Sequence, residues 1–217
     1  MPFALRHRDD PMTALSALAG FGVDEERSAA TMASLQERTD AEMQARFDAG
    51  HRAYVARIGA EPAAWGWVAT REARIGELDT TVRLPLDERY LWNFVTLPAF
   101  RGRGVYPRLL QAIVRVESSS ATRFWIAYAP ENHASGAGIR KAGFTALAEL
   151  SFDRQGRAAL KSLAPDGART VGRVLPLEEA AEVAPCWRCV RAGRSTMYCP
   201  DGRCQCDYQQ PRSGCTA

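Results

Sequence analysis

Between residues 89 and 129 the apolar pattern changes period twice, and this restricts what the chain can fold into. RYLWNFVTL (89–97) is aromatic-rich and stops at Pro98; Leu109, Leu110, Ile113 and Val114 then follow helical spacing; RFWIAYA (123–129) is almost continuously apolar. The three stretches read as a strand, an amphipathic helix and a strand buried on both faces. A strand, helix and strand in this order predict a parallel pair joined by a right-handed crossover. Such a sheet needs helices on its faces.

The flanking segments extend it. HRAYVARIG (51–59) and AAWGWVATREA (63–73) alternate apolar and polar residues around a short segment with Gly59 and Pro62, which predicts an antiparallel pair. PFALRH (2–7), FTALAELSF (144–152) and ARTVGRVLPL (168–177) read as further strands. An apolar-periodic stretch from Met12 to Leu18 and a polar helical one from Thr31 to Ala49 precede the first pair; residues 134–142 read as a helix ending at Gly143. The expected class is α/β (α+β): a mixed, mostly antiparallel central sheet flanked by helices.

Bulk properties narrow the function. At 217 residues, 46% hydrophobic and 24% charged, the chain suits one well-filled core, or one core plus a small appendage. No stretch approaches the roughly 18 apolar residues of a membrane span, and MPFALRHRDD carries acids where a signal peptide would be apolar. A cytoplasmic protein without a membrane partner is expected. The net charge of +3 resides in the tail, where Arg188, Arg191, Arg194, Arg203 and Arg212 face Asp201 and Asp207. Residues 1–185 balance at 23 basic against 23 acidic groups, which disfavours nucleic acid as a partner.

The segment PAFRGRGVYPRLL (98–110) joins the first strand of the crossover to its helix. Gly102 and Gly104 permit positive φ and close approach of a ligand to the backbone. The amides at a helix start have no intrahelical acceptor and sit at the positive end of the helix dipole. With the charges of Arg101 and Arg103, these groups make a cradle for phosphate or pyrophosphate. Pro107 fits the first helical turn. The segment is neither a P-loop, since no Gly-Lys-Ser/Thr follows, nor a dinucleotide fingerprint, since the third glycine is missing.

These residues resemble the GNAT superfamily of acyl-CoA-dependent N-acetyltransferases. The family carries Arg/Gln-x-x-Gly-x-Gly/Ala at this place, matched here by Arg101, Gly104 and, as a departure, Tyr106. A second element follows in APENHASGAGIRKAGF, where Asn132 precedes Phe144 as in the family's Asn…Gly-Phe segment. The resemblance covers about residues 2–155. It implies a splayed pair of central strands holding coenzyme A. Arg101, Gly102, Arg103, Gly104, Val105, Tyr106 and Pro107 would hold its diphosphate, the backbone of Phe94, Val95 and Thr96 its pantetheine arm, and Asn132 and Ser135 the neighbouring loop. The implied activity is transfer of an acetyl group from acetyl-CoA to a primary amine, small-molecule or peptide, by direct attack in a ternary complex. Amides near Thr96 would help stabilise the oxyanion.

Proton transfer is the open point. Many members place a tyrosine where this chain has Ile139 and a glutamate where it has Ala127. The candidate replacements are Tyr128, Glu131 and His133, with Tyr106, Glu72 and Glu77 behind them. The missing carriers leave a second reading, an acyl-CoA-binding sensor or adaptor whose tail engages a partner.

That tail holds all six cysteines, at 186, 189, 199, 204, 206 and 215. Their C-x2-C-x9-C-x4-C-x-C spacing is compatible with zinc bound by Cys186, Cys189, Cys199 and either Cys204 or Cys206, with a metal-free or redox-active tail, and with a disordered extension. The division expected is a catalytic domain over 1–177 and a cysteine-rich tail over 178–217. Monomer and homodimer both remain open.

Overall fold

The computed structural model describes residues 1–184. The first half comprises β1 (Pro2–His7), β2 (Phe21–Glu26), α1 (Ala29–Gln36), α2 (Asp40–Asp48), β3 (Arg52–Ile58), β4 (Glu61–Ala69), β5 (Glu72–Ile75) and β6 (Thr80–Arg83). There follow β7 (Glu88–Thr96), α3 (Val105–Glu117), β8 (Arg123–Ala127), α4 (His133–Lys141), β9 (Thr145–Phe152), β10 (Ala158–Ser162), α5 (Gly167–Gly172) and β11 (Glu178–Glu179). Nine strands form one sheet in the order β11-β10-β9-β1-β8-β7-β4-β3-β2, and β5 pairs with β6 separately. Only β7/β8 and β10/β11 are parallel, so the sheet is mixed and mostly antiparallel, as expected.

The crossover β7–α3–β8 is the centre of the molecule, and the N-terminal strand is slotted beside it: β1 is antiparallel to both β8 and β9. Alternation along the strands sends side chains to two cores. On one face α3 and α4 bury Leu109, Leu110, Ile113, Val114 and Ile139 against Ala64, Val68, Leu91 and Ile126. On the other, α1 and α2 bury Met32 and Met43 against Trp65 and Trp67, while the β5–β6 hairpin and α5 cover Phe3, Tyr90 and Trp125. The end of α3 is fastened through Glu117, whose buried carboxylate accepts from Tyr54 (2.6 Å), Arg89 (2.9 Å) and Arg52 (3.1 Å). That network satisfies the carboxylate's lone pairs, which a buried charge requires.

Several elements differ from expectation. Residues 168–177 were expected as a strand, yet α5 begins at Gly167; Ala168, Val171, Val174 and Leu175 are buried at helical spacing, and this outweighs the β-branched composition. The polar helical stretch divides into α1 and α2 because Glu37 takes a left-handed conformation (φ 53) and Thr39 and Glu42 form a capping box. Met12 to Leu18 is irregular and rests on the α3 side, where Gln111 donates to Thr13 O (2.8 Å). The strand beginning at 63 ends at Ala69, and the separate β5–β6 hairpin follows. The chain stays engaged past residue 177, since β11 pairs with β10 and Ala184 N–H donates to Phe152 O (2.7 Å).

Candidate functional site

β7 and β8 pair only from Glu88–Arg123 to Leu91–Ile126; beyond this β7 runs on to Thr96 without pairing to β8. The cause lies on the other edge of β7. Against β4, Trp92 faces Trp67 and Val95 faces Trp65, so Asn93 and Phe94 together stand opposite the single residue Gly66. This is a β-bulge, with Asn93 at φ 52. A Cβ at position 66 would lie 2.0 Å from the Phe94 ring, so glycine makes room for that side chain. The bulge bends β7 away from β8 and leaves a cleft of about 660 Å³.

At the α3 end of the cleft, residues 101–104 make an exposed turn with Gly102 (φ 74) and Gly104 (φ 72) both left-handed. Gly104 precedes the first residue of α3 and supplies no side-chain cap, so the main chain itself presents the donors. Three arginines shape the turn. Arg108 Nη1 donates to Gly104 O (2.7 Å) and its Nη2 to Ser16 O, Arg101 Nε donates to Thr96 O (3.1 Å), and Arg103 lies over the Phe100 ring (5.5 Å). The side chains of Val105 and Pro107 are buried; Val105 still has a backbone N–H to offer, whereas Pro107 has none and serves the first turn of α3 instead.

Phe94, Val95, Tyr106, Tyr128, Asn132 and Ser135 line the cleft. Tyr106, the departure from the motif, packs against Phe94 with ring centroids 5.6 Å apart and fits because position 138 is glycine, where a Cβ would come 2.5 Å from its ring. Its hydroxyl lies 3.3 Å from Ser135 Oγ. Asn132 caps α4 by accepting from Ser135 N–H (3.0 Å). Tyr128 lies half-buried against Gly136, and burial pushes its phenol above the usual range, against a smaller lowering by Arg140. Glu131 is buried and His133 exposed, and neither lines the cleft. Of the three proton-carrying candidates only Tyr128 does. Ile139, at the position where many relatives have tyrosine, is in the core.

Apart from Glu77, the opposite wall was not foreseen. It is built by Gln36, Arg38 and Arg46 from α1, α2 and their connection, by Arg74, Ile75 and Glu77 from the hairpin and its turn, and by Trp65, Tyr90 and Trp92 from the sheet. Gln36 Oε1 accepts from Arg46 (3.2 Å), Trp67 (3.3 Å) and Asn93 (3.2 Å), tying α1 to α2, β4 and the bulge. Trp92 Nε1 donates to His51 Nδ1 (3.2 Å); burial, then Arg46, lowers the pKa of that histidine, so the imidazole is held neutral as an acceptor.

A family model described as the acetyltransferase (GNAT) family matches residues 21–144, from β2 to the end of the α4 segment. The chain belongs to the GNAT family. Among curated proteins none matches this GNAT chain. Solved structures similar to it include a GCN5-related N-acetyltransferase from Kribbella flavida (17% identity, TM-score 0.46, covering 67% of this chain and 53% of that one). Another is the ribosomal-protein-S18-alanine N-acetyltransferase from Escherichia coli (15%, 0.46, 64% and 88%). A third is the aminoglycoside N-acetyltransferase AAC(6′)-Iy in complex with CoA (18%, 0.48, 65% and 98%). The match spans about half the length of the Kribbella protein and of a Drosophila protein, 53% and 46%.

The GNAT family uses acetyl-CoA, and the exposed turn at 101–104 with the cleft beside it fits such a group: two left-handed glycines, a helix start and an unpaired stretch of β7 meet at one end. Among the described residues no three or more His, Cys, Asp or Glu side chains are grouped to hold a metal, and no helix is long and apolar enough to cross a membrane. Cys186, Cys189, Cys199, Cys204, Cys206 and Cys215 lie outside the described residues.

Proposed function

We propose that this GNAT chain moves an acetyl group from acetyl-CoA directly to a primary amine held in the same cleft. The observation that carries the reading is the opening between β7 and β8 beyond Leu91 and Ile126, lined at the start of α3 by Tyr106, which directly follows the glycine-arginine turn. Acetyl-CoA supplies the acetyl group as an activated thioester. The amides of residues 102–106 and the charges of Arg101 and Arg103 hold the diphosphate; Pro107 has no N–H to add. The edge of β7 from Phe94 to Thr96 receives an extended, amide-bearing arm as a sheet edge receives a strand. Asn132 and Ser135 fix the loop before α4.

Tyr128 keeps its proton through neutral pH because burial disfavours its phenolate; we assign it to protonate the departing thiolate and to recover its proton from the amine nitrogen as the amide forms. Most of the acceleration then comes from holding the two reactants together. The domain assignment that accompanies this reading is a catalytic unit over 1–177 followed by a cysteine-rich tail.

Calorimetry with acetyl-CoA and thiol release across a panel of amines test the proposal. Binding with thiol release by one or more amines is expected. Absence of binding overturns the reading. Binding without release from any amine would instead favour an acyl-CoA sensor, the alternative that Ile139 in the core keeps open.

A further inference from the structure

The charged side chains that line the cleft all belong to one wall. On the face covered by α1 and α2, opposite to α3, its lining holds Arg38, Arg46 and Arg74 against one acid, Glu77. Arg38 and Arg74 are exposed and have acidic neighbours, Glu42 at 4.0 Å and Asp79 at 2.6 Å. Arg46 has no ion pair among the described residues: Glu42, one turn before it, faces the helix start and accepts from Thr39 N–H (3.0 Å) and Thr39 Oγ1 (3.1 Å).

Arg46 is nevertheless held in one orientation. Its guanidinium lies over Trp92 (4.9 Å to the ring centroid) and Trp67 (5.1 Å), and Nη1 donates to Gln36 (3.2 Å). Burial, then the neighbouring Arg38, works against its charge, with Glu42 offsetting part of this; a bound anion would add a favourable charge interaction. Trp65, which also lines the cleft and is 7% exposed, has an indole N–H with no acceptor among the described residues. The chamber therefore holds three arginines against one carboxylate, which suits an anion and opposes a polycation. Trp92, Ile75 and Tyr90 add apolar surface.

We infer that this chamber is the acceptor subsite and that it selects amines bearing a carboxylate and an apolar body, with Arg46 gripping the carboxylate. A planar guanidinium fixed by two rings presents its remaining N–H groups as a fork, the geometry that matches a carboxylate. The inference rests on the acetyl-transfer reading for the role of the amine, but anion capture by Arg46 can be measured without transfer.

The test uses the full chain with and without coenzyme A. Tryptophan fluorescence, which Trp67 and Trp92 make sensitive to this chamber, is titrated with L-phenylalanine, L-leucine and aminohexanoate, and with their carboxamides; the same compounds are then offered with acetyl-CoA. We expect a saturable response to the carboxylates at concentrations about tenfold or more below those of the amides, the scale of one charge-assisted contact. Arg46→Gln should remove that preference by raising KM with kcat nearly retained, and Arg46→Lys should keep part of it, both with wild-type circular dichroism. The inference is overturned if amides bind or react as well as acids, if Arg46→Gln keeps the preference, or if no carboxylate gives a saturable response. Loss of acetyl-CoA binding in calorimetry would sink the transfer reading alone, leaving the fluorescence result to decide on Arg46.

Discussion

The turn at 101–104, just before the start of α3, and the chamber around Arg46 are made of different material. The turn is main chain: two left-handed glycines and a helix start, contiguous in sequence and exposed. The chamber is side chain: Gln36, Arg46, Trp67, Trp92 and His51 come from separate elements and are joined by hydrogen bonds and ring stacking. A backbone site recognises what all donors of one cofactor share, whereas a side-chain site can be retuned one residue at a time. The difference teaches where to look for what the family has in common and where to look for what this member alone selects.

Gly104→Glu breaks the comparison most sharply. The new Cβ would stand 2.4 Å from Arg108 Nη1 at a left-handed position, and a carboxylate would occupy the anion cradle. Acetyl-CoA affinity should fall about 1,000-fold or more by calorimetry, the effect of like charges brought together. The fluorescence response of the Arg46 chamber should survive. If both are lost, the two sites are not separable.

Tyr128→Phe should lower kcat by about 100-fold, within the range of a lost general acid, and leave acetyl-CoA affinity unchanged. A wild-type rate would remove Tyr128 and return attention to Tyr106 and Glu77, which also line the cleft. Gly66→Ala acts on the bulge that opens the cleft. Because its Cβ would overlap the Phe94 ring, it should cost about 2 kcal/mol in denaturant unfolding, and Phe94→Ala in the same chain should recover part of that.

The smallest effect is a pH dependence on the side-chain site. His51 has a lowered pKa when folded, so its contribution to stability is complete above the unfolded value of about 6.5 and is lost as pH falls through the folded one. Unfolding measured from pH 8 down to 5 should show that decline, below about 1 kcal/mol because the ring is partly exposed. His51→Gln should flatten it.

What the sequence disclosed follows the same division. The crossover and the turn are short-range patterns, apolar period and glycine placement, and 89–129 reads correctly from them. β2, FGVDEE, stayed hidden because an edge strand with little burial needs no clean alternation. β5 and β6 are only four residues each and largely polar, and their pairing depends on a turn centred on Asp79 at φ 49. The chamber was illegible because nothing local marks Arg46 or Gln36: each becomes functional only when α1 and α2 are laid against Trp67 and Trp92. The bulge had a trace in the sequence, a glycine between two tryptophans in a strand, but its partner Asn93 lies 27 positions later.

The aromatic ring of residue 94 occupies the volume that any side chain at 66 would need. Those two sites therefore behave as one heritable unit: a lineage that enlarges residue 66 without shrinking residue 94 straightens the strand and shuts the slot. Engineers reshaping this enzyme would do best to vary them as a pair, in a library indexed on combined bulk.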